Sequence, residues 1–281
     1  MKNRICMVTG ATNGIGRVTA EELARLGATV VVVGRNREKA EATVAAIRQA
    51  TGNPSVESIV TDFASLEEVR RLAQQFRSRY DRLHVLVNNA GIWAVEPGAS
   101  KEGLEMTFAV NHLSPFLLTN LLLDVLKASV PARIVNVSSR AHWSGRMDFE
   151  DLQSEKRKYS GWACYANSKL ANVLFTSELA RRLEGTGVTA NSLHRGVVAT
   201  GLFDGHKGFA GFLGKLVKPF LLTSAQGART CIYLAASPKV EGVSGKYFVN
   251  CREAPISPAA QDEQTAKRLW QVSERLTGLA N

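Results

Sequence analysis

The sequence predicts an α/β fold, a single doubly wound sheet of about seven parallel strands with helices on both faces. Short β-branched runs alternate along the chain with longer runs of helical periodicity. The strand-like runs are nearly all apolar, as expected when helices cover both faces of a sheet. At 281 residues the chain can bury one large core, and no stretch reads as a linker, repeat or low-complexity segment. Residues 1–281 are therefore read as one domain.

The elements follow in order. "ICMVTG" at 5–10 is a first strand, and "GRVTAEELARLG" at 16–27 a helix closed by Gly27. "TVVVVGR" at 29–35 is a second strand, followed by the charged helix "NREKAEATVAAIRQATG". "SVESIVTD" at 55–62 and "SLEEVRRLAQQFRSRY" at 65–80 form the third pair. "HVLVNNAG" at 84–91 is a fourth strand, with a long helix expected from near Asn111. "RIVNVSS" at 133–139 is a fifth, and a loop over 140–162 leads to a helix bearing Tyr165 and Lys169. "VTANSLH" at 188–194 and "GKYFVN" at 245–250 complete the set. The segment 201–224, rich in Gly, Phe and Leu, reads either as a lid over an apolar pocket or as a surface helix.

Composition narrows the function. Hydrophobic content of 45% and charge of 21% are ordinary for a globular protein. The net charge of +10 comes from Lys and Arg spread along the chain, without a run of like charges, so no nucleic-acid partner is expected. Cys6, Cys164, Cys231 and Cys251 show no metal-ligand spacing, and no metal is expected. They read as reduced thiols of a cytoplasmic protein. The opening "MKNRICMVTG" is expected to enter a strand directly, without a signal peptide. The apolar tract at 113–130, broken by Asn120, Asp124 and Lys127, reads as a buried helix and not a membrane span.

The first chemical signal is "VTGATNGIG". Gly10, Gly14 and Gly16, with Asn13 and Ile15 between them, turn the chain from the first strand into the first helix. Glycines there allow backbone N–H groups to approach a pyrophosphate at a helix N-terminus. A dinucleotide site of the NAD type carries an acid at the end of the second strand, to bind ribose hydroxyls. Here Gly34 and Arg35 stand in its place, with Asn36 next. A guanidinium can bind a 2′-phosphate through two hydrogen bonds, whereas a carboxylate would repel it. The expected cofactor is NADP(H).

Four more features line up: "NNAG" at 88–91, Asn111, "NVSS" at 136–139 and "YANSK" at 165–169. Together with the glycine turn they resemble the short-chain dehydrogenase/reductase family along almost the whole chain. "VNVSSRAH", "YANSKLANVLFTSELARRLEGTGVT" and "SGKYFVNC" resemble its retinol dehydrogenase-like branch. The resemblance implies a Rossmann-type fold and an enzyme that interconverts an apolar alcohol and its aldehyde or ketone. It implies catalytic roles for Asn111, Ser139, Tyr165 and Lys169. Tyr165 would act as general acid and base. Lys169, one helical turn on, would favour its phenolate and hold the nicotinamide ribose. Ser139 would hydrogen-bond the substrate oxygen, with Ser138 the competing candidate. Asn111 would complete a proton relay through water, its plain alternative being a helix cap or kink. Asp62 and Phe63 would meet the adenine, though a turn-forming Asp is the plain reading of Asp62. Asn89, Ala90 and Gly91 would line the adenosine ribose, and Gly196, Val198 and Thr200 the nicotinamide end.

One position departs from the family pattern. Arg195 precedes Gly196 where a proline is usual, which leaves the turn freer and adds a charge. His112, His142 and His194 share no metal spacing and read as surface or loop histidines. Trp93 and Trp143 read either as walls of an apolar substrate pocket or as core. The resemblance further implies a homodimer or homotetramer, and the apolar 201–224 segment with the positive charge is compatible with peripheral membrane contact. The reading from another class is a catalytically silent NADP-binding sensor or scaffold; a sugar-nucleotide epimerase ranks below both.

Overall fold

The computed structural model describes residues 1–196 and 223–280. Its sheet runs in the order 3-2-1-4-5-6-7-8. The strands are β1 (Ile5–Thr9), β2 (Thr29–Gly34), β3 (Val56–Val60), β4 (Val85–Asn88), β5 (Ala132–Ser138), β6 (Val188–His194), β7 (Tyr247–Val249) and β8 (Arg252–Glu253). β1 to β7 are parallel, in line with the expected number. The eighth strand, β8, is antiparallel to β7 and joined to it by Asn250 and Cys251, both with positive φ.

Alternation along the strands explains the two-sided core. In β1 and β2, Cys6, Val8, Val30 and Val32 face one apolar layer, while Met7, Val31 and Val33 face the other. The first layer is closed by α1 (Gly14–Arg25), α2 (Arg37–Thr51) and α8 (Ser224–Ala236) through Leu23, Ile47 and Leu234. α3 (Leu66–Arg79), α5 (Ser114–Leu121), α7 (Gly161–Arg182) and α10 (Glu263–Thr277) close the second through Phe76, Phe116, Leu174 and Trp270.

Two expected helices differ in detail. The helix carrying Asn111 starts earlier, at α4 (Met106–Phe108), and passes through a π-helical turn at Ala109–Leu113 before α5. The apolar tract 113–130 divides at Leu122 into α5 and α6 (Leu123–Lys127). No helix among the described residues is long and apolar enough to cross a membrane. All four cysteines are free thiols, and no cluster of metal ligands occurs among the described residues. A short helix, α9 (Pro258–Gln261), precedes α10.

Strand order reverses between β1 and β4, and both strands end at the same edge. A parallel sheet of this order opens a crevice there, at the carboxyl ends of its strands.

Candidate active site

The crevice is a cleft of about 500 Å³. Gly10, Asn13, Gly14, Ile15 and Gly16 line it after β1, Gly34 and Arg35 after β2, and Asp62 and Phe63 after β3. Asn89, Ala90 and Gly91 line it after β4, and Arg195 after β6. A larger hollow of about 830 Å³ lies at the amino ends of β5 and β6, but contains none of the candidate residues. Chemistry, not size, marks the first as the candidate cleft.

The phosphate end is built from backbone. Gly10 and Gly14 have φ of 62° and 53°, a region that a side chain rarely adopts. A Cβ on Gly16 would overlap Gly10 O. Asn89 ties this turn to β4, donating from Nδ2 to Thr9 O at 2.8 Å and Gly10 O at 3.1 Å. Thr9 Oγ1 accepts the N–H groups of Asn89 and Ala90, each at 3.0 Å. Asn13 makes no side-chain cap to α1, whereas Asn36, Ser65 and Ser160 cap α2, α3 and α7. The first amides of α1 are thus left to an anion at the positive end of the helix dipole.

Arg35 is exposed at the rim, where it lines the cleft. Asn36 does not line the cleft; its Oδ1 accepts Lys39 N–H at 2.8 Å and starts α2. Asp62 forms its expected turn, with Oδ1 accepting Ala64 N–H at 3.0 Å, and still borders the cleft beside buried Phe63.

The reaction end is built from buried side chains. Lys169 is 4% exposed, and among the described residues its ammonium donates only to Val137 O, at 3.2 Å. An ammonium has three donors, so its buried charge is under-satisfied. Burial, with Arg195 adding like charge, pulls its pKa down to about 7. The ammonium sits 5.5 Å from the centre of the Tyr165 ring. A Cβ on Gly91 would lie 3.5 Å from Lys169 Nζ and 3.1 Å from Asn111 Oδ1. A side chain there would crowd the Asn111 amide and touch the ammonium, so Gly91 keeps the cleft side of Lys169 uncrowded. Unused ammonium donors behind a bare glycine fit a diol such as a cofactor ribose.

The serine pair divides cleanly. Ser138 is fully buried and donates from Oγ to Lys169 O at 2.7 Å, strapping β5 to α7. Ser139 is partly exposed; its Oγ accepts Ala141 N–H at 3.2 Å, which leaves its O–H free to donate. Asn111 is fully buried, and its amide is engaged. Oδ1 accepts Ile92 N–H at 2.7 Å, and Nδ2 donates to Ile92 O and Ser168 Oγ, each at 2.9 Å. Ser168 donates in turn to Tyr165 O at 2.7 Å.

Trp93 lies 6.0 Å from the Tyr165 ring and Trp162 6.1 Å, an aromatic flank against the phenol. Trp143 is 53% exposed and so is not core. The histidines correct the sequence reading, because His112, His142 and His194 are all buried. His112 bonds Ser273 Oγ at 2.8 Å, and burial pushes its pKa down to about 3. His142 and His194 hold the turn after Ser139. Gly196 adopts φ of 77° after Arg195. Val198, Thr200 and positions 201–222 of the expected lid lie outside the described residues, while Thr223 caps α8.

A glycine turn after β1, an amide-tied β4 end, Ser139 just after β5, and Tyr165 and Lys169 on α7 are groups that can hold a dinucleotide and move a proton beside it. The family model for short chain dehydrogenases matches residues 4–207.

The chain belongs to the short chain dehydrogenase family.

This dehydrogenase is 46% identical over 300 residues to retinol dehydrogenase 14 of Homo sapiens, covering 99% of this chain and 88% of the relative. Its branch is thus retinol dehydrogenase-like. Among solved structures, an uncharacterized protein of Mycobacterium paratuberculosis superposes with a TM-score of 0.78 at 36% identity, over 99% of this chain and 94% of that one. A short chain dehydrogenase of Escherichia coli, solved with NADPH, gives 0.70 at 26% identity, over 90% and 98%.

Sequence reasoning did not single out Thr9, Trp162 or Ser168 in this dehydrogenase. Thr9 carried a signal, as a polar residue ending an apolar strand directly before the glycine turn. Ser168, inside "YANSK", is visible only as part of that motif. Trp162 is three residues before Tyr165, which on a helix places it on the same face.

Proposed function

We propose that this short chain dehydrogenase is an NADP(H)-dependent oxidoreductase that interconverts an apolar alcohol and its aldehyde or ketone. The observation that carries this reading is the buried, under-satisfied Lys169 ammonium 5.5 Å from the Tyr165 ring, behind the bare Gly91. When bound, NADPH supplies the hydride. In reduction, Ser139 donates its O–H to the carbonyl oxygen and Tyr165 delivers the proton to it. Lys169 binds the ribose hydroxyls and stabilises the phenolate that remains. In oxidation the same phenolate accepts the alcohol proton. Both amide N–H groups of Asn111 are already used, by Ile92 O and Ser168 Oγ, while Oδ1 accepts Ile92 N–H. With both amide N–H groups taken, the Asn111 side chain can serve a proton relay through water only as an acceptor.

NADP(H) in place of NAD(H) rests on exposed Arg35, on the missing acid at the end of β2, and on the Escherichia coli relative solved with NADPH. An apolar substrate rests on the Trp93 and Trp162 flank, and the retinol dehydrogenase relative makes retinal the first aldehyde to try.

Tyr165→Phe tests the reading. NADPH-dependent turnover should fall about 10²- to 10⁴-fold while NADPH binding is kept. Near-normal turnover in the mutant would overturn the mechanism, and a clear preference for NADH over NADPH would overturn the cofactor. Wild-type protein that binds NADPH yet reduces nothing in a panel of aldehydes, steroids, retinal and quinones would favour the silent sensor.

A further inference from the structure

His142 is buried beside the proposed catalytic serine, and the chemistry above has no use for it. Its Nδ1 lies 2.7 Å from Ser139 O, and Ser257 N–H meets its Nε2 at 3.2 Å. A carbonyl oxygen can only accept and a backbone N–H can only donate. Nδ1 therefore carries the proton and Nε2 the lone pair. One neutral tautomer satisfies both contacts; an imidazolium would set its Nε2–H against the Ser257 N–H.

The surroundings hold the ring in that place. Its edge packs on Tyr247 at 4.8 Å between ring centres, and Ser257 Oγ donates to His142 O at 3.4 Å. Arg140 N–H is held separately by His194 Nδ1 at 3.3 Å. Ser257 precedes α9, so the contact joins the end of β5 to a segment more than a hundred residues away. Ser139 donates its hydroxyl from the same residue whose carbonyl His142 grips. A shift of that peptide moves the hydroxyl with it.

We propose that His142 is a positioning residue: as the neutral Nδ1–H tautomer it fixes the Ser139 carbonyl against Ser257, and so fixes where the Ser139 hydroxyl meets the substrate oxygen. The inference rests on the proposed role of Ser139. A small misplacement near a reacting centre is costly, so the effect belongs in kcat and not in cofactor affinity.

The test uses His142→Ala, His142→Asn and His142→Gln in the full chain, with Ser139→Ala alongside. An asparagine places a donor where Nδ1 stood; a glutamine places an acceptor where Nε2 stood. His142→Ala and His142→Gln should lose about 10- to 100-fold in kcat, with NADPH dissociation constants, measured by fluorescence titration, within about twofold of wild type. His142→Asn should recover most of the loss. Three results would overturn the proposal: full kcat in His142→Ala, His142→Asn no better than His142→Gln, or NADPH affinity falling in step with kcat. If His142→Ala does not fold, the Asn and Gln pair decides. Ser139→Ala at full activity would instead sink the catalytic reading of Ser139. Ser139→Ala at low activity beside His142→Ala at full activity would sink this inference alone.

Discussion

After β1 and β4 the cleft is lined by glycines and bare backbone, whereas β5 and α7 offer the site buried side chains. Gly10, Gly14 and Gly16 leave the first amides of α1 uncovered. Lys169 and Ser138, by contrast, are sealed inside and bonded to main-chain oxygens. The phosphate end needs close approach to a ligand that brings its own charge, so bare backbone suffices. The reaction end must hold a charge of its own away from water, which costs stability and needs partners. Mutations should therefore fail differently at the two ends: by strain and lost affinity at the first, by lost chemistry and altered pH response at the second.

The sharpest contrast comes from Lys169→Met. Turnover should fall about 10²-fold or more. Stability of the cofactor-free protein should move the other way. The folded-state pKa of about 7 lies below the ordinary 10.5, so the unfolded chain binds more protons between these values. Folding stability of the wild type should then rise with pH across that window, and the penalty from burying Lys169 should be complete below it. Lys169→Met should lack this rise. Urea unfolding at pH 7 and near the top of that window checks it, and parallel slopes in the two proteins would contradict the buried charge.

At the phosphate end, Gly10→Ala should cost about 1–3 kcal/mol of stability, because φ of 62° strains any side chain. The added Cβ would also sit 2.9 Å from Ala90 Cα. A denaturation midpoint unchanged from wild type would show that the turn can relax. Arg35→Ala should weaken NADPH binding roughly tenfold, about 1.4 kcal/mol, and leave NADH binding alone. Equal loss for both cofactors would place Arg35 away from the 2′-phosphate.

The smallest effect is expected from Ser138→Ala. Loss of its bond to Lys169 O should cost about 1 kcal/mol of stability. Its effect on turnover should be minor beside that of Ser139→Ala. Comparable loss of kcat in the two would break the division of the serine pair into a strap and a donor.

Much of the fold was legible because its signals are local. Alternation of apolar strands with amphipathic helices predicted the parallel sheet and its two covered faces. The motifs predicted the elements that carry Ser139, Tyr165 and Lys169. β8 escaped notice because a two-residue strand, formed only by pairing with β7, has no periodicity. The π-helical turn around Asn111 escaped for a similar reason, since an extra residue in a turn leaves the apolar pattern almost intact.

By itself, the sequence determined the fold class, the glycine turn, the absence of an acid at the end of β2, and the helical spacing of Tyr165 and Lys169. Each depends on residue type and on neighbours a few positions away. Only the tertiary structure decided which serine is free, that both amide N–H groups of Asn111 are used, and that His112, His142 and His194 are buried. It also decided that Lys169 has one acceptor among the described residues. Those facts depend on partners such as Ser257 and Ser273, which lie far along the chain, and on burial, which no short stretch of sequence encodes.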